Sequence, residues 1–382
     1  MVITNGKVFV DGAFVEGVNV AFEDGKITEI GAGATGGEVI DAQGGYVIPG
    51  LVDLHFHGAV GADLCDGKVE SVQKLAEFQA SVGTTSICPA TMTFSEEILT
   101  PIMESVNEFV DAQKNGTAPA NYAHFVGINM EGPYISPDKV GAQNPAYVHA
   151  GDIDEFNRLN EKSGNVIKLV DVAPEVEGNL DFIKEATGAG VRVSVAHTCA
   201  DFDQCVDAFN AGARQMTHLF NAMNPIHHRK PGPVIAAFDN EEVMAELICD
   251  GIHSHPAIIR MAFQLFGNDR IILISDTMRA CGLEDGTYDL GGQDVTVRGS
   301  LATIADGSIA GSVTCLPDCL RYAVKTANIP LESAVKCATQ NPAKALGLDA
   351  EIGSLAAGKN ADILVLDENL DLKTVVLGGN VL

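Results

Sequence analysis

The chain has 382 residues, enough for a large domain with an accessory unit, and its 46% hydrophobic and 20% charged residues are typical of a globular protein. Its net charge of −27 opposes binding to nucleic acid and to anionic membranes. We expect no signal peptide and no membrane span, because no long apolar run occurs. Nine cysteines without a Cys-x-x-Cys pair indicate reduced thiols and predict a cytoplasmic location.

The first segment, residues 1–48, alternates short apolar runs with Asp-Gly and Gly-Gly turns, which predicts a small β unit. Residues 349–382 have the same character, so we expect both ends to form one β-sandwich around a central domain at 49–348. A Gly-x-Gly-x-x-Gly motif at 31–36 is typical of dinucleotide binding only where a helix follows it. Here another predicted strand follows, so we interpret the motif as a glycine-rich hairpin turn.

The central segment contains eight short apolar runs rich in β-forming residues, with helical patterns between several of them. Two helices are predicted, one ending before Gly83 and one, with apolar residues at 258, 259, 262, 265 and 266, ending before Gly267. Strands alternating with helices predict an α/β protein with a parallel (β/α)8 barrel, although periodicity alone also allows a doubly wound open sheet. The eight runs are 51–57, 84–90, 125–131, 166–173, 191–197, 214–220, 243–250 and 270–276.

Polar residues stand at the carboxyl ends of five of these predicted strands, where the site of a parallel barrel lies. They are His55, His57, Glu131, His197, His218 and Asp276. Several buried, unpaired polar groups would cost several kcal/mol together, and a divalent cation would satisfy them at once. Alternate residues on a strand point the same way, so a His-x-His pair can face one ion. Imidazole and carboxylate ligands favour zinc, with iron, manganese or cobalt as alternatives.

A cluster of four potentially basic residues, 227–230, follows the sixth predicted strand. It is the only such run in this acidic chain, and it contains Arg229, whose planar guanidinium suits bidentate phosphate recognition. A solvated surface loop is the alternative interpretation. The sequence therefore predicts either a binding element for an anionic substrate or an ordinary basic loop near the metal ligands.

Six motifs at these strand ends and loops resemble the amidohydrolase superfamily and, within it, the N-acetylglucosamine-6-phosphate deacetylase family. They are MEGPYISPDKVGAQNP (130–145), VAHT (195–198), THLFNAM (217–223), HHRKPG (227–232), DGIHSHP (250–256) and SDTMRACG (275–282). The resemblance implies that Glu131, His197 and His218 hold a main metal ion and that His55 and His57 hold a second, giving one or two ions per subunit.

The same resemblance implies the remaining roles in the site. Asp276 would be the general acid/base, and His253 would contact a sugar hydroxyl. Asn221, the backbone N–H of Ala222 and Arg229 would bind the substrate phosphate, with a homodimer in which Arg229 crosses between subunits. Family members commonly have histidine where this chain has Gln143, which could still form a hydrogen bond to a substrate hydroxyl.

These assignments predict the deacetylation of N-acetylglucosamine 6-phosphate to glucosamine 6-phosphate and acetate. A metal-bound water has its pKa lowered toward ~7, so hydroxide could attack the acetamide carbonyl while Asp276 moves the proton to the leaving amine. One alternative is another amidohydrolase, acting on a cyclic amide or an amino-substituted ring. A second is a non-catalytic assembly protein of the same fold, which the complete set of six candidate ligands and acids argues against.

Overall fold

The computed structural model describes residues 1–382, and its centre is a curled array of parallel strands. Each of the eight predicted runs contains one strand of this array, the third being split in two. The strands are Leu51–Asp53, Thr84–Ile87, His124–Phe125 with Ile128–Met130, Ile167–Val172, Arg192–Val195, Gln215–Met216, Met244–Ile248 and Ile271–Ile274. Almost every residue in them is buried, as expected for parallel strands that are covered on both faces.

The order of these strands excludes the doubly wound alternative. The first three strands form one parallel sheet and the remaining six form another, in chain order and without the reversal that defines a doubly wound sheet. A bridge between Ala90 and Asn129 links the two sheets. The N–H of Asp276 donates to the carbonyl of His55 at 2.9 Å, so the last strand end lies beside the first.

Helices connect most of the strands and bury their apolar faces against them. They are Val69–Ser81, Glu96–Lys114, Ile153–Lys162, Asn179–Gly188, Phe202–Ala211, Gly232–Asp239, Pro256–Arg270, Leu316–Lys325, Leu331–Ala338 and Gln340–Ala345. The helix predicted before Gly83 is confirmed. The second predicted helix also breaks at Gly267 as expected: Pro256–Arg270 is interrupted there by non-helical angles (φ 66°, ψ −175°), which glycine tolerates, and a short turn completes it to Arg270. Ile258 in this helix is 36% exposed, outside the expected buried face. None of the helices combines the length and apolar character needed to cross a bilayer.

Both ends of the chain contribute strands to the same sheet. Ile363–Leu366 pairs with Tyr46–Pro49 in antiparallel register, at the centre of a six-stranded sheet. The other strands of this sheet are Lys7–Val10, Ala13–Val15, Leu372–Leu377 and Asn380–Val381, and a four-stranded sheet combines Val2–Thr4, Asn19–Glu23, Lys26–Gly31 and Val39–Asp41. Buried apolar side chains from both termini, including Val8, Phe22, Ile363 and Val376, form one small core.

The glycine motif at 31–36 is not a hairpin turn, so that interpretation was wrong. Lys26–Gly31 and Val39–Asp41 are the two edges of the four-stranded sheet, with two other strands between them. The motif is a connection that spans the sheet, and it leads into a strand rather than a helix. Glycine and turn residues signal a reversal of the chain but do not specify which strand the chain then pairs with.

We expect Gly45→Ala to destabilise the contact between the two ends of the chain. A Cβ at Gly45 would clash with the backbone carbonyl of Leu366 and lie 2.9 Å from that of Ala42. Overpacking against rigid backbone costs about 1–3 kcal/mol. Gly37→Ala is the matched control, since a Cβ there meets nothing within 4 Å. Urea unfolding of both variants measures the difference; equal midpoints would contradict the close approach.

An element that sequence patterns did not reveal lies after the eighth parallel strand. Gly286–Leu290, Gln293–Arg298 and Leu301–Thr303 form a three-stranded antiparallel sheet, which packs through Leu290, Val295 and Val297 on Met92 and Met278. A short hairpin, Gly58–Ala59 with Ala62–Asp63, follows the first strand. Both elements border the edge where the polar strand ends meet.

Candidate metal centre and substrate pocket

The polar strand ends converge on one cavity of about 520 Å³. The cavity is lined by five of these residues, each of which follows the end of a different strand: His57, Glu131, His197, His218 and Asp276. Their convergence follows from the parallel array, because the carboxyl ends of all its strands lie at one edge. His55 lies directly behind them and is fully buried.

Three of these side chains face one another closely enough to bind a single ion. Oε1 of Glu131 lies 3.0 Å from Nε2 of His197 and 3.2 Å from Nε2 of His218, and the two Nε2 atoms are 3.1 Å apart. The Nδ1–H of His197 donates to the carbonyl of Lys139 at 2.8 Å, which leaves the Nε2 lone pair directed at the centre. This is the donor set of a first-row metal site.

A second group of three shares the same carboxylate. Oε2 of Glu131 lies 3.2 Å from Nε2 of His57 and 3.6 Å from Nε2 of His55. Oδ1 of Asp276 lies 3.3 Å and 3.7 Å from the same two nitrogens. Nε2 of His55 is buried and has no hydrogen-bond partner, which a metal ion would satisfy. The residues therefore fit two adjacent metal sites bridged by Glu131.

Charges in this cluster are strongly coupled. Burial would raise the pKa of Glu131, but the surrounding histidines hold it well below its usual value. Burial would lower the pKa of His57, yet its hydrogen bonds to Asp276 and Glu131 raise it to about 10. Burial would also raise the pKa of Asp276, but the hydrogen bond from His57 lowers it. The carboxylates thus require positive charge nearby, which a divalent cation can supply in place of protons.

Three of these cavity-lining residues have an unusual backbone conformation. His197, His218 and Asp276 have φ values of 42°, 27° and 51°, in the left-handed region that most side chains avoid. At Asp276 the conformation is held from both sides: its N–H donates to the carbonyl of His55, and its carbonyl accepts from the N–H of Ser312 at 2.7 Å. Such outliers concentrate at functional sites, where surrounding structure stabilises them.

Gln143 contacts a candidate metal ligand. Its Oε1 accepts from the backbone N–H of Thr93 at 2.7 Å, and its Nε2 donates to Oε2 of Glu131 at 2.8 Å. Because an N–H can only donate, the Thr93 contact fixes the orientation of the amide. Gln143 is 3% exposed, and in this structure it restrains the carboxylate that the two candidate metal sites share.

Most of the predicted substrate contacts line the cavity, but Arg229 does not. Asn221, Ala222 and His253 lie along its wall, and Nδ1 of His253 is 2.7 Å from Oδ2 of Asp250. Arg229 is exposed and its guanidinium contacts Nε2 of His228 at 2.8 Å. Within one chain, therefore, the basic cluster is separate from the cavity that it was expected to serve.

Several residues that border the site were missed by sequence reasoning. Asp171 and Glu246 are fully buried carboxylates in the fourth and seventh parallel strands, and burial raises the pKa of Asp171 well above its usual value. A detectable signal was present, since each acid interrupts an apolar strand run. Lys139 is the one lysine or arginine that lines the cavity, and the loop at 306–311 covers part of its rim. No local sequence pattern marked Lys139 or the loop at 306–311 as part of the cavity.

Comparison with known proteins identifies the family. The amidohydrolase family model matches residues 46–382. N-acetylglucosamine-6-phosphate deacetylase of Bacillus subtilis is 33% identical over 100% of this chain and 95% of its own length, and N-acetylgalactosamine-6-phosphate deacetylase of Escherichia coli O157:H7 is 33% identical over 87% and 86%. A mutant of the Mycobacterium smegmatis N-acetyl-D-glucosamine-6-phosphate deacetylase, solved with N-acetyl-D-glucosamine-6-phosphate, superposes with a TM-score of 0.92 at 33% identity, covering 100% of this chain and 98% of that one. The chain belongs to the amidohydrolase family and, within it, to the N-acetylglucosamine-6-phosphate deacetylases.

Proposed function

We propose that this chain is a metal-dependent hydrolase that removes acetate from N-acetylglucosamine 6-phosphate and releases glucosamine 6-phosphate. The observation that carries the proposal is the convergence of Glu131, His197 and His218 beside Asp276 in one cavity, in a chain whose relatives over its full length are deacetylases of this sugar phosphate. Nothing in the cavity or among the relatives favours a cyclic amide or an amino-substituted ring as substrate.

The side chains divide the chemistry between binding an ion and moving a proton. Glu131, His197 and His218 would hold the main ion, and His55 and His57 a second one that shares Glu131. When bound, such an ion polarises the acetamide carbonyl and lowers the pKa of a coordinated water. Zinc is the metal we propose, on the basis of the imidazole and carboxylate donors.

Asp276 is proposed as the general acid/base. Its lowered pKa keeps the carboxylate ionised at neutral pH, so it can accept a proton from the attacking water. The amine is a poor leaving group, and Asp276 would return that proton to the nitrogen as the C–N bond breaks. The second proton of the water remains on the acetic acid and passes from it to the more basic amine, so acetate and the protonated amino sugar leave and no other reactant is needed.

The substrate phosphate is proposed to lie at the Asn221–Ala222 turn. The N–H of Ala222 makes no hydrogen bond within the chain, and Asn221 lines the same wall. His253, held by Asp250, would contact a sugar hydroxyl. We propose a homodimer in which Arg229 of the partner subunit completes the phosphate contact, which agrees with the position of Arg229 outside the cavity of its own chain.

We also propose that the parallel array is a closed (β/α)8 barrel spanning 49–348, with one small β-sandwich domain built from 1–48 and 349–382. The backbone hydrogen bonds between the first and last strand ends support closure, and the shared sheet and core of the two termini support a single small domain. Nine free cysteines are compatible with the reducing cytoplasm that we propose as its location.

The proposed function is tested by measuring acetate release from N-acetylglucosamine 6-phosphate, its galactosamine epimer and unphosphorylated N-acetylglucosamine. The first is expected to have the highest kcat/KM. Ammonia release and ring opening are measured in parallel on an amino-substituted ring and a cyclic amide. Turnover of either ring substrate, with no acetate from the sugar phosphates, would establish the alternative amidohydrolase function instead.

We expect Arg229→Ala to impair turnover of the phosphorylated sugar selectively. A hydrogen bond to a charged group contributes roughly 1.5–3 kcal/mol, so kcat/KM for N-acetylglucosamine 6-phosphate should fall by roughly 10–150-fold. The unphosphorylated sugar should be nearly unaffected. Arg229→Lys is the matched control and should recover only part, because lysine lacks the two-pronged geometry. Equal losses on both sugars would make Arg229 a structural residue.

Mixed dimers test whether Arg229 acts across the subunit interface. Consider a dimer of one Arg229→Ala subunit and one Asp276→Asn subunit. If each site takes its arginine from the partner subunit, the site of the Arg229→Ala subunit is complete, because it has its own Asp276 and receives the intact arginine of its partner. The kcat/KM for N-acetylglucosamine 6-phosphate should therefore rise well above that of either impaired variant when the two are reassembled together. If the arginine acts within its own chain, both sites in the mixed dimer stay defective and its kcat/KM does not exceed that of the Arg229→Ala dimer.

A further inference from the structure

Glu246 is a fully buried carboxylate beneath the metal centre, and it has no part in the chemistry described above. It lies in the strand Met244–Ile248, and its Oε2 is 2.9 Å from Nδ1 of His55. It also accepts from the side-chain amide of Gln215 and, at 3.3 Å, from the backbone N–H of His218. An ionised carboxylate can only accept hydrogen bonds, so Nδ1 of His55 carries the hydrogen and donates it to Glu246.

This hydrogen bond determines which nitrogen of His55 can bind a metal. With Nδ1 donating to Glu246, the lone pair is left on Nε2 when the ring is neutral. Nε2 is the buried atom without a hydrogen-bond partner, and it faces Oε2 of Glu131 at 3.6 Å and Oδ1 of Asp276 at 3.7 Å. A carboxylate behind an imidazole fixes the tautomer and makes the ring a better donor to a metal.

The other histidines in the centre are supported differently. Nδ1 of His197 donates to the backbone carbonyl of Lys139, Nδ1 of His57 lies 3.3 Å from the carbonyl of Ala90, and Nδ1 of His218 has no partner. His55 is thus the one candidate histidine ligand whose Nδ1 donates a hydrogen bond to a carboxylate. Any effect of that charge on metal affinity falls mainly on the site that contains His55.

We propose that Glu246 is a positioning residue that sets the occupancy of the second metal site through His55. The inference rests on the proposed function for the existence of the metal centre. It predicts that the chain binds two ions with unequal dependence on Glu246. The ion at His55, His57 and Glu131 requires the buried carboxylate, whereas the ion at Glu131, His197 and His218 does not.

Zinc binding to the apo protein tests the inference without any measurement of turnover. We would titrate Zn²⁺ against a competing chelator and count bound metal after dialysis, for wild type, Glu246→Gln and Glu246→Ala. Glu246→Ala should lower the second-site affinity by about 10–100-fold, the range typical of outer partners of metal ligands. Glu246→Gln should lie between the two, because its amide oxygen still accepts from Nδ1 of His55 but carries no charge. Main-site affinity should change much less in both, because Glu246 contacts His218 only through its backbone N–H, at 3.3 Å, and not through its ring.

Asp171→Asn is the matched control. Asp171 is also a fully buried carboxylate in a strand of the array, but its side chain accepts a hydrogen bond from the Thr217 hydroxyl and does not contact a histidine. The side-chain oxygen of asparagine can still accept that hydrogen bond. It should bind both ions as wild type does. Far-UV circular dichroism checks the fold, and the isosteric glutamine variant serves if the alanine variant fails to fold.

The inference would be overturned if a folded Glu246 variant bound zinc at the second site with wild-type affinity. It would also be overturned if zinc affinity fell equally at both sites, or if Asp171→Asn lowered the second-site affinity as much as the Glu246 variants do. Wild-type protein that binds two zinc ions but hydrolyses no acetylated sugar phosphate would refute the proposed function and leave this inference standing.

Discussion

Asp276→Asn should lower kcat by about 10²–10⁴-fold, the usual contribution of general acid–base catalysis. Asparagine has nearly the same size as aspartate and fits the left-handed turn at this position, which asparagine tolerates well. It cannot accept a proton from water at neutral pH, however, or return one to the leaving amine. The loss should therefore appear in kcat, measured by acetate release at saturating N-acetylglucosamine 6-phosphate.

Measuring the zinc content of Asp276→Asn distinguishes a role of Asp276 in proton transfer from a role in holding the metal. Asp276 is not a member of the group Glu131, His197 and His218, so zinc at that site should be retained in Asp276→Asn. A variant with a kcat within about fivefold of wild type would remove Asp276 from the mechanism, since the loss expected for a general acid/base is far larger. Loss of the main-site zinc together with activity would instead identify Asp276 as a metal ligand.

Chelation of the metal should abolish turnover, and a divalent metal ion should restore it. Without the ion, Asp276 would have to take a proton from an ordinary water, and a carboxylate whose pKa is lowered is a weak base for that step. The measurement is acetate release after exhaustive dialysis against a chelator and after addition of Zn²⁺, Fe²⁺, Mn²⁺ or Co²⁺. Full activity in metal-free protein would refute the mechanism.

Proton release should accompany this reconstitution. In the metal-free protein the pKa of His57 is raised to about 10, so its ring is protonated at pH 8, and a metal ion must displace that proton to coordinate the nitrogen. Metal affinity should therefore fall as the pH is lowered. Calorimetric titrations with Zn²⁺ in two buffers of different ionisation enthalpy would count the protons released.

Much of the site could be predicted from local sequence because the reason for it is local. Each strand is a short apolar run, and each candidate ligand follows its run directly, as with His197 after the strand Arg192–Val195. Parallel strands place all their carboxyl ends at one edge, so residues distant in sequence, such as His55 and Asp276, are predicted to meet without any knowledge of the helices between them. The helix stop at Gly83 depends similarly on one residue and its neighbours.

Local patterns were therefore enough to identify the strands and the polar residues at their ends. The folded chain was needed to learn which oxygen of Glu131 faces which histidine, that Gln143 restrains this carboxylate, that Glu246 supports His55, and that Arg229 lies outside the cavity of its own chain. The same is true of the glycine motif at 31–36, which joins two sheet edges. The physical reason is that a local pattern specifies the conformation and burial of a segment, whereas contacts between segments depend on strand register, loop path and subunit arrangement, none of which a single segment contains.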